Sequence, residues 1–240
     1  MANPSSRQHI YRQFDQELAA IRGDALRLGG QAEEQIALAM KALLNGDANL
    51  AEQVISDDRK INELEVAINN QCLQILARRQ PTASDLRLVV AVIKAVSELE
   101  RIGDDAKRIA RVALAMSSAP PQPAQIAPLA QFAEGIGKLL RDTLDAFARI
   151  DIEAAMQIKQ RDRVLDHQYG DIMQEQITAM SADPRAIPAA LNLMWAARAL
   201  ERVGDRSCNI CEHTVYYAIG KDISHMSLEQ AGLDLMGQGE

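Results

Sequence analysis

The chain predicts an all-α protein in which one helical unit is used twice, and three observations carry the prediction. No segment of its 240 residues sustains the alternation of β-branched and polar residues that a strand needs. Aromatic residues make up only 3% of the chain, while Ala, Leu, Ile, Val and Met dominate, a composition suited to helices packed across small spacers. The pentapeptide Glu100-Arg101-Ile102-Gly103-Asp104 returns 101 residues later as Glu201-Arg202-Val203-Gly204-Asp205. The likeness extends outward, with Ser97-Glu98-Leu99 opposite Arg198-Ala199-Leu200 and Ile109 opposite Ile210. A period near 100 residues is far too long for a solenoid unit and about right for a duplicated small domain.

Punctuation divides the chain into six helices. The first covers about 6–44 and stops at the turn signal Asn45-Gly46-Asp47, with Gly29-Gly30 either kinking it or permitting close packing. The second covers about 48–79 and ends at Gln80-Pro81. The third opens at Thr82-Ala83-Ser84-Asp85, with Thr or Ser as N-cap and Asp in the first turn. It reaches about Met116, some 50 Å at 1.5 Å per residue. Helices four and five cover about 125–149 and 151–180, and helix six runs over about 184–218 behind Asp183-Pro184.

Between the halves, Ser117 to Pro123 places three prolines in four residues and makes a stiff linker. The expected organisation is a first bundle over 1–116, a linker over 117–124, a second bundle over 125–220 and a loose tail with a weak closing helix over 221–240.

Bulk properties exclude several function classes. A net charge of −7 argues against a nucleic-acid partner, because neutralising phosphates takes clustered Lys and Arg. The three cysteines are odd in number and lie in helical segments, which points to a reducing compartment. The first twenty residues are polar, without the apolar core of a signal peptide, and the most apolar stretch, Leu86 to Val96, is too short to span a membrane. A cytoplasmic protein is expected.

Helical phase places the repeated acids. At 100° per residue, Val92, Leu99, Gly103, Ala106 and Ala110 fall within about 40° of one line, and Glu100 and Asp104 lie on its flank. In the second copy Leu193, Leu200, Gly204 and Cys211 form the line, with Glu201 and Asp205 beside it. Gly103 and Gly204 would let a partner backbone approach the acids. A further pair, Asp162-x-x-x-Asp166, lies in helix five, and its counterpart in helix two is Asp58-x-x-x-Asn62 with Glu65 on the same face. If helices five and six are antiparallel neighbours, the two pairs converge into a four-carboxylate site. Oxygen ligands of this kind suit hard or borderline cations such as Mg, Mn, Ca, Fe or Zn.

The plainer alternative is a solvated face supported by Arg101, Arg202 and Arg206, since such acidic pairs are common on helix surfaces. The copies are also unequal: Glu212 answers to Arg111 and Cys208 to Lys107, so the second half is expected to bind metal more tightly. Cys208-x-x-Cys211 inside a helix reads as packing rather than redox chemistry. No Glu-x-x-His accompanies the acids, and no Walker loop, dinucleotide fingerprint, nucleophile elbow or other catalytic constellation is present. Trp195 is expected in the core or an interface.

The paired ERIGD/ERVGD motifs, the run Arg79-Gln80-Pro81-Thr82-Ala83-Ser84-Asp85-Leu86-Arg87, and Leu144-Asp145-Ala146-Phe147-Ala148-Arg149 resemble the PhoU family. Leu28-Gly29-Gly30 and Asn209-Ile210-Cys211-Glu212 add to the likeness, which spans residues 6–225. The resemblance implies two tandem three-helix bundles related by a pseudo-twofold. It implies a non-enzymatic cytoplasmic regulator that represses the phosphate-starvation regulon and restrains phosphate uptake. Its partners would be the ATPase subunit of the phosphate ABC transporter and the phosphate sensor histidine kinase, so that it meets the membrane only through them. Many members are homodimers, and some hold multinuclear metal clusters on their E(D)xxxD motifs. Carried over residue by residue, that motif covers Glu100 and Asp104, Glu201 and Asp205, Asp162 and Asp166, and Asp58, with Fe, Zn, Mn or Mg as candidate ions. Asn62 departs from the acidic pattern.

Two other functions compete with the regulator. One is a metal-cluster protein whose metal chemistry or storage is the primary role; the other is a helical scaffold without ligands.

Overall fold

The computed structural model describes residues 4–224 and 226, which form six α-helices and no strand. They are α1 (Pro4–Asn45), α2 (Ala48–Arg79), α3 (Ala83–Met116), α4 (Pro123–Arg149), α5 (Ile152–Ala182) and α6 (Ile187–Ile219). Each half is an up-down-up bundle, α1–α3 and α4–α6, as the duplication requires.

Local chemistry sets the boundaries. Asp47 caps α2 by accepting from the Leu50 amide at 3.0 Å, and Asp151 caps α5 by accepting from the Ala154 amide at 2.9 Å. Both caps follow a residue in the left-handed region, Gly46 at φ 62° and Ile150 at φ 57°, so the α1–α2 and α4–α5 turns are built alike. Thr82 holds the N-cap position of α3, but its hydroxyl makes no cap bond. Asp183 caps a 3-10 turn, Pro184–Ala186, rather than α6 itself, which starts at Ile187. A left-handed Gly220 ends α6. Most of the tail expected over 221–240 lies outside the described residues.

The two halves share one core, which runs from Leu18 and Ile21 through Leu99 and Ile102 to Phe132, Leu200 and Val215. Two seams join them. Along α3 and α6, Arg87 donates to the Tyr217 carbonyl at 3.1 Å and Arg206 donates to Asp105 at 3.0 Å, an antiparallel crossing. Along α1 and α4, Arg141 donates to Glu33 at 2.8 Å, and Leu144 packs on the bare backbone of Gly29. A Cβ at Gly29 would overlap Leu144, whereas one at Gly30 would meet nothing within 4 Å. Helix α1 continues through both glycines, so Gly29 serves close packing and not a kink.

Of the two places expected for Trp195, the core is excluded, because its side chain is 67% exposed, and an interface is left. The three cysteines are free and buried. Burial pushes the Cys211 thiol up to about 12 and Cys208 higher still, which suppresses the thiolate that redox chemistry needs.

Candidate functional site: two unequal acidic clusters

In the second half α5 and α6 run antiparallel and bring their acids together. Gly204 sits beneath Asp162, where a Cβ would come within 2.6 Å of the carboxylate Oδ1 and 3.2 Å of Ile136. The glycine thus makes room for an acidic side chain, not for a partner backbone. Burial pushes the Asp162 carboxyl up to about 6; Asp166 and Asp205 add to the shift, while Cys208 and Lys159 oppose it. Glu201 and Asp205 are also raised, chiefly by burial and then by their acidic neighbours, with Arg198 opposing in both cases. The four predicted carboxylates therefore share one field. Glu201 Oε2 is buried without a hydrogen-bond partner among the described residues.

The first half places its acids likewise but sets a lysine against one of them. Asp58 is buried, and the Lys107 ammonium lies 2.5 Å from its Oδ2, with the Asn62 amide donating to the same oxygen at 3.5 Å. Gly103 admits the side chain of Ile61, again not a backbone. Glu100 is raised by burial, then by Asp104, Glu65 and Asp58, so this cluster also shares a field. At the place of Lys107 the second half has Cys208, a neutral thiol hydrogen-bonded to Asp162. Glu212, which phase aligned with the acids, is held instead by Lys159.

The four second-half carboxylates are the kind of donor set a hard or borderline cation takes. As arranged, no group of three or more His, Cys, Asp or Glu among the described residues is gathered closely enough to hold a metal ion. The acids feel one another's charge at separations longer than ligation, and a cation would have to draw them inward.

Between the clusters lies a network that the motif reading did not single out. Asp105 is fully buried, and Arg206 and Arg108 pair with it while Arg202 stands 3.8 Å away. Arg206 also reaches Glu98 at 3.4 Å. Asp105 and Arg206 are the same position of the duplicated motif. The signal was present in the sequence as ERIGDD against ERVGDR, the first charge reversal after the repeat.

The fold has counterparts among known proteins. The PhoU domain model matches residues 25–113 and again 129–214, one match per bundle. The chain belongs to the PhoU family. It is 45% identical over 226 residues to the phosphate-specific transport system accessory protein PhoU of Serratia marcescens, covering 94% of this chain and 93% of that protein. To the accessory protein PhoU of Escherichia coli K12 it is 42% identical over 231 residues, covering 96% and 95%. The crystal structure of PhoU from Pseudomonas aeruginosa superposes with a TM-score of 0.83 at 41% identity, over 87% of this chain and all of that one. The regulatory protein PhoU of Streptococcus pneumoniae gives 0.81 at 32% identity, over 88% and 99%. The two PhoU domain matches contain the seven acids expected from the sequence, Asp58, Glu100 and Asp104 in the first and Asp162, Asp166, Glu201 and Asp205 in the second.

Proposed function

We propose that this PhoU-family chain is a negative regulator of the phosphate-starvation response and of phosphate uptake. In this reading it is a cytoplasmic homodimer that adapts the ATPase subunit of the phosphate transporter to the phosphate sensor histidine kinase. The carrying observation is similarity over nearly the full length, 45% across 94% of the chain, to a protein named as an accessory of phosphate-specific transport. The physical support is a long two-bundle body joined by two seams, which holds separate surfaces at fixed spacing. No helix of the described residues is long and apolar enough to cross a membrane, so the chain would meet the membrane through its partners. The test is a deletion strain grown at high phosphate. Constitutive alkaline phosphatase, restored to repression by the gene in trans, is the expected result; unchanged repression overturns the reading.

A second reading, cation binding at the second-half cluster, is favoured by Glu201 Oε2, which is buried without a described partner, and by Cys208 where the first half has a lysine. Asp162, Asp166, Glu201 and Asp205 would be the ligands, and neutralising them would ready the acidic surface for docking. Protein purified without chelators should carry metal that is lost when all four are changed to Ala. Equal metal in both proteins rejects the site.

A further inference from the structure

Three large apolar side chains follow one another along the outward face of α6 at i, i+4 and i+8. Ile187, Leu191 and Trp195 are 40%, 44% and 67% exposed. At 100° per residue Arg198 and Arg202 continue in the same arc, roughly 80° wide. Their side chains are 50% and 37% exposed.

The first repeat keeps apolar residues opposite Ile187 and Leu191, namely Leu86 and Val90, but not opposite Trp195. The first-repeat counterpart of Trp195 is Lys94, whose ammonium lies 5.6 Å from the centre of the Tyr216 ring. By the same offset Tyr216 corresponds to Ala115, which has no ring to offer Trp195.

The arginines beside it are underused. Arg202, Arg206 and Arg108 converge on the single carboxylate of Asp105, and Arg202 comes no nearer than 3.8 Å. One carboxylate has about four acceptor sites for the donors of three guanidiniums, so the exposed parts of Arg202 and Arg108 keep donors for an outside acceptor. Arg198 shares Glu201 at 2.6 Å while half exposed. This concentration of guanidiniums beside apolar surface sits on a chain of net charge −7.

We infer that the strip from Ile187 to Arg202 is a docking surface for an acidic amphipathic helix of a protein partner. The helix's apolar residues cover Trp195, Leu191 and Ile187, and its carboxylates take the spare donors of Arg202, Arg108 and Arg198. Tryptophan and arginine are the residue types that most often dominate binding energy at such surfaces. A planar anionic membrane fits worse, because it would also press on Glu201 and Asp205. A single helix lying along the strip stops at Arg202, about 4.5 Å short of Asp205 along the axis, and Glu201 within its span is already paired with Arg198. The inference rests on the adaptor reading and names its contact face.

Trp195 is the only tryptophan of the chain, so fluorotryptophan labelling gives one fluorine resonance for this surface. The labelled full chain is titrated with the purified ATPase subunit and with the cytoplasmic part of the kinase. The resonance should move with at least one of them. Trp195→Ala, and separately Arg198→Gln with Arg202→Gln, should each weaken that Kd about tenfold or more while leaving the melting temperature within a few degrees. Binding that leaves the resonance and both variants unaffected overturns the inference and leaves the adaptor reading standing. No binding of the unmutated chain to either partner overturns both. A resonance that responds to phosphatidylglycerol vesicles and to neither protein replaces the helix with a membrane and also overturns it.

Discussion

Gly204 and Gly30 are both helical glycines, and their surroundings give opposite expectations. A methyl at Gly204 meets Asp162 and Ile136, whereas one at exposed Gly30 meets nothing within 4 Å. Gly204→Ala should cost about 1–3 kcal/mol through overpacking, and Gly30→Ala should add about 0.5–1 kcal/mol by favouring the helix. Urea unfolding of the two variants checks both signs. Asp162 supplies the pH dependence. Its carboxyl is raised from 3.8 to about 6, so between these values the folded chain holds more of this proton than the unfolded one. Stability from this group is therefore fully present below about 4 and is lost as pH rises through 6. Asp162→Asn should flatten that slope and leave the protein more stable than the parent at pH 7, as read by unfolding at pH 4.5 and 7. Such residue-level effects were only half legible: the spacing of the acids was plain, but that Lys107 would reach across to Asp58 was not. A lysine's partner depends on the crossing of two helices, which no single helix encodes.

At the scale of elements, helix boundaries followed from Gly, Pro and Asp punctuation, because capping and breaking are local chemistry. The exceptions were equally local. Asp183 spends its carboxylate on the Arg185 amide and side chain, giving a 3-10 turn before α6. The seam between α3 and α6 has a less local logic. Under an exact duplication Asp105 would face a second Asp, and like charges buried together repel. The Asp/Arg divergence turns that contact into an ion pair between the repeats. Asp105→Arg alone leaves guanidiniums facing one another in a dry seam and should cost about 3–5 kcal/mol. Combining it with Arg206→Asp should recover a measurable part. A double variant no more stable than the single one would show that orientation or the other arginines, not charge complementarity, hold the seam.

For the whole molecule, the shared core implies that the linker is not what keeps the bundles together. A protease site placed within Ser117–Gln122 should be cut without separation, the fragments eluting together at the position of the intact chain. Fragments that elute separately would make each bundle a self-sufficient domain. The sequence alone determined the helical class, the six segments, the duplication and the family resemblance, because periodicity, punctuation and repetition are properties of the chain itself. It also showed which acids share a helix face. Only the tertiary structure decided which of them meet a cation, that Trp195 stands in solvent, and that Asp105 meets its own repeat counterpart. Charge compensation and exposure are set by what lies across a helix crossing, and in this chain those neighbours come from another helix tens of residues away.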